Sequence, residues 1–351
     1  MQKTDIDGRE TVTSDTKMPC QNEFEITDYP FVSVIIPTYN RKVVLKKCLS
    51  ALLGQTYPSN RYEIIVIDDG STDETDEMVS RLIEEHRLEK QSTKLIYEWH
   101  EHSCAAAARN RGIRKARGDL VILLDSDIVT LPDFIEAHVL ARHDSDNTPA
   151  EDTLPHNWNV SEDKAIVHGR VIYTEDLDNP TSTKKRISDI SMAFFASGNV
   201  SIARKWLLEA GLFDEDFIEY GWEDLELGQR LKKLGLRVVR SDGPAGYHLK
   251  YEFSVAKLPA IRGREHQRGR MAVVYYRKHP TFSVRMSTTM TRPFYWLVGL
   301  LTLGGWPDRP STVRLIDWLD RRGWRALLGV LLQIMIYYWY IQGIKEGTSR
   351  A

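Results

Sequence analysis

The chain has 351 residues, a formal net charge of -2 and 42% apolar residues, which is enough to build a substantial core in one large domain or two smaller ones. A charge this close to neutral excludes the strongly basic class of nucleic-acid-binding proteins. The cysteines, Cys20, Cys48 and Cys104, form no Cys-x-x-Cys pair. Their odd number argues against a disulfide framework or a structural zinc site and favours a reducing compartment.

Charge and polarity distinguish the two ends of the chain. Residues 1–29 are polar and lack an apolar segment of the kind found in signal peptides, so we expect a flexible N-terminal tail. From Lys257 to Arg325, fourteen Lys and Arg accompany only four Asp and Glu. Basic residues beside apolar segments indicate an anionic membrane surface as a partner of this region.

The pattern after the tail is an alternation of strands and helices. Strands are predicted at Phe31 to Pro37, Tyr62 to Ile67, Lys94 to Trp99 and Leu120 to Leu124, and helices are predicted between them by apolar residues at helical spacing. This alternation predicts an α/β fold, with a mostly parallel sheet covered by helices on both faces. In such folds ligands bind at the carboxyl ends of the strands.

Polar segments stand at three of these predicted strand ends: Thr38 to Arg41, Asp68-Asp69 and Asp125-Ser126-Asp127. The third follows a run of apolar residues that reads as a strand buried on both faces. Because side chains two apart on an extended chain point the same way, its two carboxylates can share one cation, and oxygen ligands suit Mg²⁺ or Mn²⁺. A polar turn after the strand is the alternative.

The middle of the chain holds long polar stretches, 144–163 and 174–189, on either side of a predicted strand from Ala165 to Tyr173. Stretches of that length are functional or disordered loops. Ser197-Gly198-Asn199 interrupts the apolar run that follows and predicts a turn or a close backbone approach.

A further predicted helix begins with Glu223 and Asp224 and ends before Gly235. Acids in a first turn complement the helix dipole, so from the pattern alone this role and a chemical role stay open for Asp224. His248 follows the next predicted strand, and a lone histidine at such a position is more commonly a plain surface or core residue than a ligand.

Two apolar segments stand near the C-terminus, Pro293 to Trp306 and Ala326 to Ile341. The second has sixteen residues with only Gln333 polar, below the about 20 that a spanning helix needs. A monotopic or re-entrant anchor, a true span and a helix packed on the soluble part all stay open.

Several motifs occur together in a fixed order: Val34-Ile35-Ile36-Pro37-Thr38-Tyr39-Asn40, Val66-Ile67-Asp68-Asp69-Gly70-Ser71-Thr72-Asp73, Ala107-Ala108-Arg109-Asn110-Arg111-Gly112, Leu124-Asp125-Ser126-Asp127 and Gly221-Trp222-Glu223-Asp224. This set resembles family-2 glycosyltransferases of the GT-A fold over about Phe31 to His248. Tyr220 to Leu227 with Tyr247-His248 is similar to the catalytic domains of chondroitin polymerases and polypeptide GalNAc-transferases. The resemblance implies a GT-A domain at 30–255, after the 1–29 tail. The basic and apolar segments beyond it predict a helical, membrane-associated extension at 256–351.

The resemblance also implies a nucleotide-sugar site. Its uridine pocket is expected to be lined by Pro37, Thr38, Tyr39 and Arg41. Asp69 is expected to accept a hydrogen bond from the uracil imide, Arg109 to lie near the donor diphosphate or sugar, and Asp125 to bind ribose and sugar hydroxyls.

For the metal and the chemistry, the resemblance implies Mn²⁺ or Mg²⁺ held by Asp127 and His248, with Asp224 as the catalytic base. Glu223 and Trp222 are expected to contact the acceptor or the donor sugar. The implied reaction is metal-dependent, inverting transfer from a UDP-sugar to a glycan or lipid-linked acceptor, by an enzyme peripheral to the cytoplasmic face of the membrane.

Processive relatives carry Gln-x-x-Arg-Trp, whereas here Gln267-Arg268-Gly269-Arg270-Met271 lacks the tryptophan, so we expect one sugar per encounter. Two other classes stay open. A nucleotidyltransferase shares such a sheet and metal, but a glycine-rich, lysine-containing loop would be expected after its first strand. A non-catalytic sugar-binding module on a membrane is the other.

Overall fold

The computed structural model describes residues 29–88, 92–142, 159–183, 186, 189–250 and 253–349. The expected N-terminal tail therefore lies outside the described residues apart from Tyr29, as does most of the predicted loop at 144–163. The strands are β1 (Val32–Thr38), β2 (Tyr62–Asp68), β3 (Lys94–Trp99), β4 (Leu120–Leu124), β5 (Ile128–Thr130), β6 (Ala165–His168), β7 (Val171–Thr174), β8 (Asn199–Ala203), β9 (Arg237–Arg240) and β10 (Gly246–Leu249).

Helices alternate with these strands and then form the C-terminal region. They are α1 (Lys42–Leu53), α2 (Thr75–Leu88), α3 (Ala105–Lys115), α4 (Phe134–Leu140), α5 (Arg204–Glu209), α6 (Glu223–Lys233), α7 (Leu258–Lys278), α8 (Phe282–Ser287), α9 (Arg292–Leu301), α10 (Pro310–Arg321) and α11 (Arg325–Ser349). The strands predicted at the start of the chain are confirmed, with boundaries shifted by at most one residue.

The main sheet has seven strands in the order β3-β2-β1-β4-β8-β6-β9. Strand β1 lies parallel to both β2 and β4, whereas β8 runs antiparallel to its neighbours β4 and β6. Helices cover both faces, so the central strands are buried throughout, which explains their continuous apolar runs. The predicted α/β architecture is confirmed.

A second sheet of three strands, β5-β10-β7, stands beside the main one. Its register places His248 opposite Ile128, the residue after Asp127. The sequence reading of Ala165 to Tyr173 as one strand is wrong, because the chain bends at Gly169 and enters the second sheet as β7. A Cβ at Gly169 would lie 2.2 Å from the Pro244 carbonyl oxygen, so only glycine fits at this bend.

The C-terminal region is built on the crossing of α7 and α11. A Cβ at Gly269 would lie 2.2 Å from the Tyr340 carbonyl oxygen, and one at Gly343 would lie 2.2 Å from the His266 carbonyl oxygen. The two glycines therefore allow the helix backbones to touch. Several side chains in the second half of α11 are buried in this contact.

Helix α11 has 25 residues, nine more than the apolar segment identified in the sequence. Within the described residues it is the one helix long and apolar enough to cross a membrane, and 39% of its most apolar window is buried inside the fold. It therefore combines the composition of a span with packing against the rest of the chain.

Candidate active site

The loops that follow β1 and β2 lie side by side at the carboxyl edge of the main sheet. Asn40 Oδ1 accepts a hydrogen bond from the Thr72 amide at 2.8 Å, and the Asn40 amide donates to Ser71 Oγ at 2.7 Å. Thr38 is buried at the end of β1 next to Pro37, and its Oγ1 has no hydrogen-bond partner among the described residues. The predicted polar strand ends therefore form one continuous edge.

Asp69 is buried and contacts two residues that the sequence reading did not assign to the site, His102 and Ser103. Its Oδ1 accepts a hydrogen bond from the Ser103 amide at 2.8 Å, and its Oδ2 lies 3.0 Å from Nδ1 of His102. The imidazole stacks on the half-exposed ring of Tyr39, with centroids 4.4 Å apart. Gly70 has φ +87°, and a Cβ there would lie 2.7 Å from the His102 amide nitrogen.

His102 and Ser103 could have been suspected from their place before α3, since a loop between a parallel strand and the following helix reaches the ligand edge of the sheet.

Asp127 and His248 meet although 121 residues separate them in the sequence. His248 Nε2 lies 3.1 Å from Asp127 Oδ2, and its Nδ1 lies 2.8 Å from the Leu249 carbonyl oxygen. The same carboxylate oxygen is bound by the Arg41 guanidinium, which is about half exposed. With Nδ1 donating to the carbonyl, the imidazole presents Nε2 as a metal ligand.

Charge and burial set the protonation of these groups. Burial opposes ionisation of Asp127, but its hydrogen bond to His248 and the Arg41 charge together lower the pKa of this carboxyl group. Burial lowers the pKa of His248, but the hydrogen bond to Asp127 and the charge of Asp127 raise it by more. The pKa of His248 is therefore raised overall. Asp125 differs, because burial, with the charges of Asp127 and Asp224, raises its pKa despite the neighbouring Arg109.

Arg109 joins the two halves of the site. Its guanidinium lies 3.3 Å from Asp125 and 3.4 Å from Glu223, although it projects from α3, and its Nε has no partner among the described residues. Burial opposes the charge of Arg109, but the surrounding carboxylates raise its pKa. Burial and the charge of Asp224 raise the pKa of Glu223.

Asp224 stands in the first turn of α6 and faces the turn at Ser197-Gly198. The Ser197 amide donates to Asp224 Oδ2 at 3.0 Å, whereas Oδ1 is buried without a hydrogen-bond partner among the described residues. Gly198, the residue after Ser197, also contacts the site, because its carbonyl accepts a hydrogen bond from the Asp125 amide at 3.1 Å. The close backbone approach predicted here is confirmed, and it ties Asp125 to Asp224.

Trp222 precedes these acids in an unusual backbone conformation. It has φ +77°, in the left-handed region that bulky residues rarely adopt. Its indole Nε1 donates to the Arg268 carbonyl at 2.8 Å, and its ring packs on Tyr275 and Tyr340, at centroid distances of 5.9 and 6.4 Å. The ring thus contacts α7 and α11, and the sugar contact expected of Trp222 stays a prediction.

Two family models match the chain over this same region. Residues 33–141 match the model described as glycosyl transferase family 2, and residues 182–252 match the model described as the N-terminal domain of galactosyltransferase. Residues 33–141 are a family 2 glycosyltransferase domain. The resemblance read from the sequence motifs is confirmed.

Curated relatives agree with this assignment. The hyaluronan synthase of Pasteurella multocida is 31% identical over 243 residues, which cover 62% of this chain and 24% of the relative. The chondroitin synthase of Escherichia coli is 30% identical over 255 residues, which cover 64% of this chain and 36% of the relative. The chain thus spans about a quarter to a third of the length of these relatives.

A solved structure agrees with the fold. The mannosyltransferase PcManGT from Pyrobaculum calidifontis, determined with GDP-Man and Mn²⁺, aligns with a TM-score of 0.51 at 19% identity and covers 95% of this chain and 91% of its own. The fold of the described chain is GT-A with a helical C-terminal region.

Proposed function

We propose that this chain is an inverting, metal-dependent glycosyltransferase that moves a sugar from a UDP-sugar to a hydroxyl of a glycan or lipid-linked acceptor. The observation that supports it most is the convergence at one sheet edge of the Asp127 and His248 pair with the partly buried acid Asp224, joined through Asp125 and Arg109. The match to family 2 and the relatives' names as synthases support transfer of a sugar.

The donor set fits a divalent cation that arrives with the nucleotide. Within the described residues no group of three or more His, Cys, Asp and Glu side chains could hold a metal ion. Asp127 and His248 therefore offer two ligands, and a diphosphate with water can complete the coordination of Mg²⁺ or Mn²⁺. Such an ion supplies Lewis-acid neutralisation of the diphosphate leaving group.

The remaining groups suit the proposed displacement. Asp224 Oδ1 is free to take the proton of the acceptor hydroxyl, while the Ser197 amide holds its other oxygen in place. The Arg109 guanidinium keeps Asp125 and Glu223 together and adds positive charge beside the donor. A single displacement of this kind requires one base, inverts the anomeric configuration and adds one sugar per encounter.

The proposed uridine pocket is formed by Pro37, Thr38, Tyr39 and Arg41 with Asp69. We add His102 and Ser103 to it because His102 stacks on Tyr39 and the Ser103 amide donates to Asp69. Membrane association of the 256–351 extension, at the cytoplasmic face, is part of the proposal. Its support is the composition of α11 together with the basic tract before it.

Release of UDP from a panel of UDP-sugars, with Mn²⁺, Mg²⁺ or a chelator, tests the proposal. We expect metal-dependent release, a product of inverted anomeric configuration by NMR, and a loss of about 100-fold or more in Asp224→Asn because general-base catalysis is removed. Asp76→Asn, which removes an exposed first-turn acid of α2, is the matched control for the helix-dipole role and should keep full activity.

Full activity in Asp224→Asn would refute the assigned base. Transfer from GDP-mannose alone would refute the uridine assignment, and pyrophosphate formation from a nucleoside triphosphate would favour the nucleotidyltransferase. An absence of nucleotide binding in calorimetry would favour the interpretation of the chain as a non-catalytic sugar-binding module.

A further inference from the structure

A cavity of about 780 Å³ lies between α9 and the second half of α11, and none of the candidate site residues lines it. Its walls are largely apolar and aromatic, with Val298 and Tyr295 on α9 facing Ile341 and Ile344 on α11. This volume is in the range of cavities that hold small molecules in proteins.

The charged groups at this cavity are all positive. Arg285, Arg292 and Lys345 line it, and none of its described lining residues is Asp or Glu. Within the described part of the chain, Arg292 and Lys345 make no ion pair, and Arg285 Nε donates only to the Met290 carbonyl at 3.1 Å. The cavity therefore has an excess of positive charge beside an apolar wall.

The one nearby carboxylate on α11 is already engaged elsewhere. Glu346 binds both Arg270 and His266 of α7, through its two carboxylate oxygens. It belongs to the contact between the two long helices, so the cations of the cavity are left to an external anion.

The outer side of α9 is apolar and exposed. Trp296 is 70% exposed, and Leu297, Leu300 and Leu301 are each nearly half exposed. These residues alternate along the helix with those that face the cavity. An exposed apolar helix face of this kind, with tryptophan among its residues, is typical of a surface in contact with lipid.

We infer that this cavity binds the phosphate headgroup of a membrane lipid, while the exposed face of α9 contacts its acyl chains. The ligand class follows from the combination of three cations, no acid and an apolar wall that continues onto an exposed apolar surface. A free phosphate would use the cations but would leave the apolar surface in water. This inference is independent of sugar transfer.

The test measures binding of the full chain to vesicles, without nucleotide, at physiological ionic strength. Vesicles of phosphatidylcholine with phosphatidic acid should bind the chain, and those of phosphatidylcholine alone should bind it weakly. The double variant Arg292→Gln/Lys345→Gln should lower the partition coefficient about 30-fold, since each basic residue near an anionic surface contributes about 1 kcal/mol. Lys232→Gln/Lys233→Gln removes the same charge from exposed positions on α6 and should bind nearly as well as the unaltered chain.

A second pair of variants separates cavity binding from general attraction of charge. A Cβ at Gly299, in the cavity wall, meets no atom within 4 Å, so Gly299→Phe can fill the cavity at unchanged charge. Gly263 on α7 is equally open and lies outside the cavity, which makes Gly263→Phe the matched control. We expect Gly299→Phe to lose most of its vesicle binding and Gly263→Phe to retain it, with both variants folded by circular dichroism.

Equal binding by Gly299→Phe and Gly263→Phe would overturn the inference, as would an equal loss in the two charge-removing pairs. If inorganic phosphate displaces the chain from vesicles as well as a short-chain phosphatidic acid does, the site is one for free anions and the lipid assignment is wrong.

Discussion

Replacing Trp222 by phenylalanine tests whether the C-terminal helices hold the start of α6, with the proposed base Asp224, in position. Its left-handed backbone costs about 1–2 kcal/mol for a bulky residue. The hydrogen bond to the Arg268 carbonyl contributes about 1 kcal/mol, and its aromatic contacts with Tyr275 and Tyr340 contribute about 1 kcal/mol each. The contacts therefore exceed the strain by a margin of about 1–2 kcal/mol.

Trp222→Phe removes the hydrogen bond and shrinks the ring, so the margin falls close to zero. About half of the molecules should then leave the left-handed conformation, and kcat should fall about two- to fivefold, with little change in KM for the donor. Trp222→Ala removes all three contacts and should lower kcat about tenfold.

Trp206→Phe provides the control. The indole of Trp206 also donates to a backbone carbonyl at 2.8 Å, that of Asp163, and it is buried on α5. Its replacement should lower the free energy of unfolding by a similar amount, measured by urea titration, and leave the rate of UDP release per folded molecule unchanged. Equal loss of kcat in the two phenylalanine variants would refute a positioning role for Trp222.

Two further predictions concern stability. Burial lowers the pKa of His138 from 6.5 to about 3. The unfolded chain therefore binds a proton between these values that the folded chain does not, and stability falls as the pH drops through this window by up to about 1.4 kcal/mol per unit. In urea titrations from pH 7 to 5, the free energy of unfolding of His138→Gln should depend less on pH than that of the unaltered chain. The same pH dependence in both proteins would contradict this prediction. Gly269→Ala should separate α11 from α7 and expose the long helix to limited proteolysis, because its Cβ would lie 2.2 Å from the Tyr340 carbonyl oxygen, whereas Gly263→Ala should behave as the unaltered chain. Equal protection of both variants would contradict the tight crossing.

Much of the sheet could be predicted from local pattern. Continuous apolar runs such as Leu120–Leu124 identified strands buried on both faces, and the alternation with helices identified the parallel arrangement. The break at Gly169 was missed although His168-Gly169-Arg170 interrupts the apolar run, because a glycine inside a strand pattern does not by itself distinguish a bend from a continuing strand. What bends the chain at that point is the approach of the Pro244 carbonyl from another part of the chain.

The motif Leu124-Asp125-Ser126-Asp127 shows the same difference between what local pattern predicts and what distant parts of the chain decide. Its sequence determined two carboxylates at the end of a buried strand, because period-two geometry is local. Local geometry alone did not distinguish them, and the different roles expected of Asp125 and Asp127 came from the resemblance. In the structure their neighbours differ, since β10 pairs with β5 and brings His248 to Asp127, whereas Arg109 from α3 lies against Asp125.

The sequence by itself determined which residue types stand at the strand ends and in the first turn of α6, because those positions follow from periodicity and chain order. Tertiary structure alone decided their partners. Ser197 meets Asp224, His102 meets Asp69 and the Arg268 carbonyl meets Trp222, each across at least 27 residues. Contacts of this separation depend on how whole elements pack, and no local pattern in the chain encodes them.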